Sequence, residues 1–153
     1  VTYDFEKVLV DNDRERVLQR RVPIGVVGGI TPWNFPPHIG ALKMAEALMT
    51  GNTMVLKPSP YTPLSTLLLG EVLADTFPDG VFNVVSGCDD LGRWMVEHPD
   101  IAKISFTGST HTGKAIQASS SSTLKRLTLE LGGNDAAIVL DDADPKTVAK
   151  GVF

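Results

Sequence analysis

One cysteine in 153 residues, Cys88, rules out an internal disulfide framework and points to a reducing cytoplasm as the setting. No uninterrupted apolar run approaches the roughly 18 residues that a membrane-spanning helix needs, so a membrane partner is not expected. Acids and bases are interspersed and the formal net charge is -4, which leaves no basic stripe for nucleic acid. His38, His98, His111 and Cys88 lie far apart, without H-x-x-x-H or C-x-x-C spacing, so no metal is expected. There is no G-x-G-x-x-G fingerprint of the commonest dinucleotide fold. Neither an initiator Met nor a signal peptide opens the chain at Val1, and an amphipathic pattern after Asp144-Pro145 stops unfinished, so the chain reads as a piece of a longer protein.

What is present is regular. Residues 1–22 carry two short polar-flanked segments around Asp11-Asn12-Asp13, a hairpin signal. From Pro23 onward apolar strands alternate with helical stretches. Strands are expected at Ile24–Ile30, Thr53–Lys57, Val81–Ser86, Ala102–Phe106 and around Glu130, with a last one at Ala136–Leu140. Helices fall at His38–Thr50, after Pro63 with Leu64, Leu67, Leu68 and Val72 facing inward, between Asp89 or Asp90 as cap and Pro99, and at Thr110–Ala118 before the loop "SSSS". The alternation argues for an α/β, doubly wound, mostly parallel five-stranded sheet of Rossmann type, with ligand sites at the carboxyl ends of its strands.

The residues at those ends are Thr31-Pro32-Trp33-Asn34, Lys57-Pro58-Ser59, Ser86-Gly87, Thr107-Gly108-Ser109 and Glu130-Leu131-Gly132-Gly133. "FTGSTHTG" offers a glycine turn, a hydroxyl at Ser109 and free N–H groups at a helix start, which suit an anion; a plain N-cap fits as well. The overlapping "GSTHTGKA" nearly matches the P-loop of a nucleotide triphosphatase, but Ala115 stands where the magnesium-ligating hydroxyl belongs. Asn34, held between Trp33 and Phe35 by prolines, is either an oxyanion donor or a loop asparagine bonding its own backbone. Lys57 is a solvated strand cap or a donor to ribose or phosphate. Glu130, alternating with Leu127, Leu129 and Leu131, reads by spacing as a solvated residue on a half-buried strand. Cys88, followed by two aspartates, reads as a small loop residue.

Five motifs in order, "ITPWNFP", "GNTMVLKPS", "FNVVSG", "ISFTGST" and "LELGG", resemble the coenzyme-binding domain of the aldehyde dehydrogenase superfamily from about Arg16 to the end. The resemblance implies oxidation of an aldehyde to a carboxylic acid with NAD or NADP through a cysteine thioester. It implies a part of an oligomerisation arm at 1–22, a coenzyme domain at 23–132 and the start of a catalytic domain at 133–153, in a homo-oligomer when full length. Asn34 becomes the oxyanion donor and Glu130 the general base, in surroundings where burial can raise its pKa. Ile30, Thr31, Pro32, Trp33, Lys57, Ser59, Gly87, Gly108, Ser109, Leu131 and Gly132 become coenzyme contacts. Pro60 stands where NAD-preferring relatives commonly carry glutamate, which leaves NAD, slightly favoured, and NADP both open. The nucleophilic cysteine is expected beyond Phe153, so the chain by itself is expected to be inactive. A role as a coenzyme-binding or oligomerisation module alone is the alternative.

Overall fold

The computed structural model describes residues 4–152. Within the expected hairpin, residues 1–3 lie outside that range, as does Phe153 at the other end. Strands β1 (Glu6–Asp11) and β2 (Arg16–Arg20) pair antiparallel. Asn12 closes their turn by accepting from the N–H groups of Arg14 and Glu15 at 2.9 and 3.1 Å. The Arg20 guanidinium reaches across to Glu6 at 2.7 Å, an exposed ion pair of small energetic weight.

The remaining strands, β3 (Val26–Ile30), β4 (Thr53–Lys57), β5 (Phe82–Val84), β6 (Ile101–Gly108) and β7 (Arg126–Leu131), form one sheet in the order β5-β4-β3-β6-β7. Every pairing is parallel. The chain builds outward from β3 through β4 to β5, then returns to the other side of β3 for β6 and β7, so the order reverses between β3 and β6. Helices α1 (Pro36–Met49) and α2 (Leu64–Val72) pack on one side, while α3 (Asp89–Glu97) and α4 (Thr110–Ser120) pack on the other. A fifth helix, α5 (Pro145–Val152), is capped by Asp144, which accepts from the N–H groups of Lys146 and Thr147. Among the described residues no helix is long and apolar enough to cross a membrane.

Two apolar clusters sandwich the sheet. Val27, Ala47, Met54 and Leu56 lie under α1, and Met95, Val96, Ile101, Ile104, Phe106 and Ile116 under α3 and α4. Successive glycines of β3 serve the two layers in turn. A Cβ on Gly28 would stand 2.8 Å from Ile104 Cδ1, and one on Gly29 would collide with Met54 Cε. The entry to β3 is clamped by the buried Asn52, whose Oδ1 accepts from Ile24 N–H at 2.7 Å and Gly25 N–H at 3.2 Å. That clamp explains why pairing starts at Val26 rather than at Ile24.

Several expectations change. Ala136–Leu140 forms no strand: β7 ends the sheet, and Ile138, Val139 and Leu140 stand exposed without a backbone to pair with. In α2 the inward face is Thr66, fully buried, with Leu67 half-buried; Leu64, Leu68 and Val72 point outward. The small Gly70 lets that face settle on Val84, and a Cβ there would meet Val84 Cγ2 at 2.8 Å. Serines 119 and 120 continue α4 instead of starting a loop. The N-cap of α3 is Cys88, with Asp89 and Asp90 in the first turn, where carboxylates favour the positive helix end.

Met54 is fully buried and its neighbours are packed on both sides, so it has little room to yield to a methyl group at Gly29. Gly29→Ala is expected to lower unfolding free energy by about 1–3 kcal/mol in urea titrations through overpacking.

Candidate active site

Parallel register aligns the strand ends that carry polar residues. Ile30 pairs with Lys57 on one side and Phe106 on the other, and Thr107 and Gly108 pair with Glu130 and Leu131. The segments that follow therefore emerge together at the switch point. They line a cleft of about 1120 Å³ that contains Ile30 through Asn34, Lys57, Ser59, Gly108, Ser109, Glu130, Leu131 and Gly132. Gly87 is the exception. It follows β5, two strands away from the switch point, and packs against Leu91.

Three local devices shape this cleft. Thr31 continues the ladder by donating its N–H to Lys57 O at 3.1 Å, while its buried Oγ1 has no partner among the described residues. The Trp33-Asn34 loop is tied to the next turn by Thr62 Oγ1, which donates to Trp33 O at 2.8 Å. Trp33 and Asn34 are exposed, and the Asn34 amide makes no hydrogen bond to any described residue, so it is not a loop asparagine bonding its own backbone. At α4, Ser109 is the N-cap: its Oγ accepts from Thr112 N–H at 3.1 Å and donates to Thr112 Oγ1 at 3.0 Å. The N–H groups of Thr110 and His111, ahead of that cap bond, still point out of the helix, a ready site for an anion.

Lys57 is 3% exposed, and among the described residues its ammonium donates only to Pro58 O, at 3.3 Å. Burial pushes its pKa below the ordinary lysine value, against the opposing pull of Asp89 and Cys88. It is therefore not a solvated cap. A second buried ammonium, Lys43, projects from α1 to Ser105 Oγ at 2.9 Å. Burial lowers its pKa as well, opposed by the fields of Glu46 and Glu130 and reinforced by Lys103. Sequence reasoning missed Lys43; the spacing Gly40-Lys43-Ala47 marks it on the inner face of α1.

Glu130 is exposed at the cleft, so burial among the described residues does not set its surroundings as anticipated. Asp89, Arg93, Tyr61, His111 and Thr112 also line the cleft and were not anticipated there. The P-loop reading loses its geometry. Gly113 and Lys114 lie inside α4 rather than ahead of it, and Gly113 is packed on Leu131. Cys88, exposed at the start of α3, is not among the lining residues.

Residues 2–153 match the Aldehyde dehydrogenase family. FUS7 of Gibberella moniliformis is 46% identical over 146 residues, which is 95% of this chain and 32% of that protein. An aldehyde dehydrogenase from Bartonella henselae superposes with a TM-score of 0.88 at 45% identity, covering 98% of this chain and 32% of that one. The NAD+ complex of an aldehyde dehydrogenase from Bacillus cereus gives 0.88 at 43% identity, covering 97% and 30%. The chain thus spans about a third of the length of the relatives it matches.

The two buried lysines carry a pH signature. Their folded pKa values lie below the 10.5 they have when solvated, so between the two values the unfolded chain holds protons the folded chain has released. Stability is therefore expected to rise with pH on approaching 10.5. Urea midpoints followed at rising pH toward 10.5 should climb in the unaltered chain and climb less steeply in Lys43→Met.

Proposed function

Because the chain belongs to the aldehyde dehydrogenase family, we propose that it supplies the coenzyme cleft, the oxyanion donor and the general base for NAD(P)-dependent oxidation of an aldehyde to a carboxylic acid. The observation that supports this most directly is the gathering of residues from four separate strand ends around one cleft at the switch point, with Ser109 at the start of α4. The buried, unpartnered Thr31 Oγ1 and the scarcely partnered Lys57 ammonium fit a polar ligand there, since buried donors left unpaired are costly. The Bacillus cereus relative was solved with NAD+.

In this reading Lys57 and Ser59 hold the adenosine ribose, and Ser109 with the first turn of α4 holds the pyrophosphate. Ile30 through Trp33, Gly108, Leu131 and Gly132 form the walls. Bound NAD(P)+ supplies the hydride acceptor. The Asn34 amide donates to the oxygen that becomes negative when a thiolate adds to the aldehyde carbonyl, a contact strongest in the tetrahedral state. After hydride loss leaves a thioester, the Glu130 carboxylate takes a proton from water as its oxygen attacks the acyl carbon. The carbon–sulfur bond then breaks and the thiolate leaves. That thiolate comes from outside these residues, since Cys88 is the chain's one cysteine and is not among the residues that line the cleft.

Next to Ser59 stand Pro60 and Tyr61, neither of which presents a carboxylate to repel a phosphate on the ribose, so both NAD and NADP are accepted. Calorimetry should detect binding of both to the 153-residue chain. Ser109→Ala and Lys57→Met should each weaken NAD about tenfold or more, the usual scale for a lost hydrogen bond to a charged group. No NADH should form on adding aldehyde. Turnover by the chain alone would refute the missing-thiol reading, and absence of binding to either dinucleotide would refute the coenzyme site.

A further inference from the structure

We propose that the uncovered half of the sheet, over β6 and β7 on the side of α1, docks an acidic peptide segment whose carboxylates pair with Lys103, Arg126 and Lys43. A parallel sheet is ordinarily covered on both faces, because its crossover helices lie there. Here α1 packs on β3 and β4, with α2 beside it on β5, while α3 and α4 cover the opposite face of β6 and β7. Lys103, Ser105 and Thr107 of β6, with Arg126, Thr128 and Glu130 of β7, have no described helix packed over them.

Charge fixes the chemistry of the occupant. Register sets Lys103 directly opposite Arg126, so two cations stand side by side on neighbouring strands, with Cβ atoms about 5 Å apart. Like charges in that relation destabilise a sheet. Neither side chain makes a hydrogen bond or ion pair with any described residue. Two positions along β6, on the same side, Ser105 Oγ accepts from the Lys43 ammonium at 2.9 Å. Lys43 is buried and an ammonium has three donors, so two of them find no described partner. A buried charge in that state is costly until an opposite charge meets it.

The carboxylates at hand leave these cations unpaired. Glu46, one turn beyond Lys43 on α1, forms no ion pair with a described residue, and Glu130 lies four residues along β7 from Arg126, about 13 Å at the rise of a strand. The three cations border a hollow of about 420 Å³, and Arg20, on its other side, is held by Glu6 at 2.7 Å. This excess of positive charge is local, since the chain as a whole carries a formal net charge of -4.

The shape of the strip favours a peptide over a free ion. Along β6 and β7 it alternates cations with hydroxyls, Lys103 and Arg126 followed by Ser105 and Thr128, in steps of about 7 Å. An extended segment repeats its side chains at the same interval, so carboxylates on alternate residues meet the Lys103–Arg126 pair and then Lys43. A small ion reaches one end only. None of the three cations lines the coenzyme cleft, so the docking stands apart from the coenzyme reading.

The test is calorimetric titration of the 153-residue chain with an end-blocked oligoglutamate peptide, against oligoglutamine and inorganic phosphate at equal ionic strength. Oligoglutamate should bind and oligoglutamine should not. Lys103→Gln and Arg126→Gln should each weaken binding about two- to fivefold, the scale of a partly exposed ion pair, and the double variant more. Each substitution should also raise the urea midpoint of the free chain by relieving the like-charge contact, which shows that the variants fold. Carbodiimide coupling of the bound peptide should leave adducts on Lys103 or Lys43, located by mass mapping. No binding of oligoglutamate, equal affinity in the double variant, or adducts confined to other lysines would overturn the docking. Binding of phosphate alone, lost in the double variant, would assign the hollow to a free ion. Self-association of the chain, lost in the same variant, would assign the face to a second copy, and either result would overturn the acidic segment.

Discussion

Parallel pairing of β3 with β4 on one side and β6 on the other is the constraint on which the rest of the architecture depends. It places Ile30 between Lys57 and Phe106, and with them the three segments that carry Thr31 to Asn34, Ser59, and Gly108-Ser109. A one-residue slip would turn every side chain of β3 to the opposite layer, bringing Val27 toward α3 and the glycines out of step with the residues they accommodate. Gly28 and Gly29 make the register specific from both sides, because each leaves room for bulk that only this alignment supplies. The cleft is therefore a consequence of strand register before it is a set of functional groups.

Register also accounts for the uneven chemistry of the sheet. On the face that carries α1 and α2, the helices cover β3, β4 and β5, while Lys103, Ser105 and Thr107 of β6 pair with Arg126, Thr128 and Glu130 of β7 beside them. That half is polar, and Lys43 reaches into its margin to meet Ser105. The opposite face of the same two strands is apolar, with Ile104, Phe106, Leu127 and Leu129 packed beneath α3 and α4. Alternation in "LTLELGG" thus has a direct physical reason: its leucines pack under α4, whereas Thr128 and Glu130 face a surface that no described helix covers.

Much of this was legible beforehand because the signals were local. The βα alternation, the Asn12 turn, the Ser109 cap and the Asp144 cap each depend on residues within a few positions of one another. The strand ends could be named from the same alternation, and four of the five, all but Ser86-Gly87, contribute to one cleft. Long-range geometry was less accessible. Gly87 follows a strand as the others do, but only the order β5-β4-β3-β6-β7 reveals that its strand stands at the edge. Ala136–Leu140 has the composition of a strand, yet strand formation requires a partner backbone that composition cannot provide. The faces of α2 were misassigned because leucine was taken to mark the interior, whereas Gly70 and Thr66 are the residues small enough to let the helix approach β5. Lys43 escaped for the same reason: a charge is discounted as a core residue until its aliphatic stem is seen to lie over Gly29.

The two ends of the cleft are built to different degrees. Toward Lys57 the donors Thr31, Lys57 and Ser59 are buried, and the ladder holds the backbone that carries them, so little side-chain freedom remains to be lost when a ligand arrives. Toward Asn34 and Glu130 both side chains are exposed and make no hydrogen bonds to described residues. An amide and a carboxylate open to water are weak as oxyanion donor and general base, because water competes for the hydrogen bonds of both. In the proposed reading, dinucleotide recognition therefore needs little beyond the sheet register, whereas acyl chemistry needs further atoms that exclude water from Asn34 and Glu130. The proposed division of labour, with binding intrinsic to these residues and turnover dependent on a thiol and enclosure from elsewhere, follows from that asymmetry.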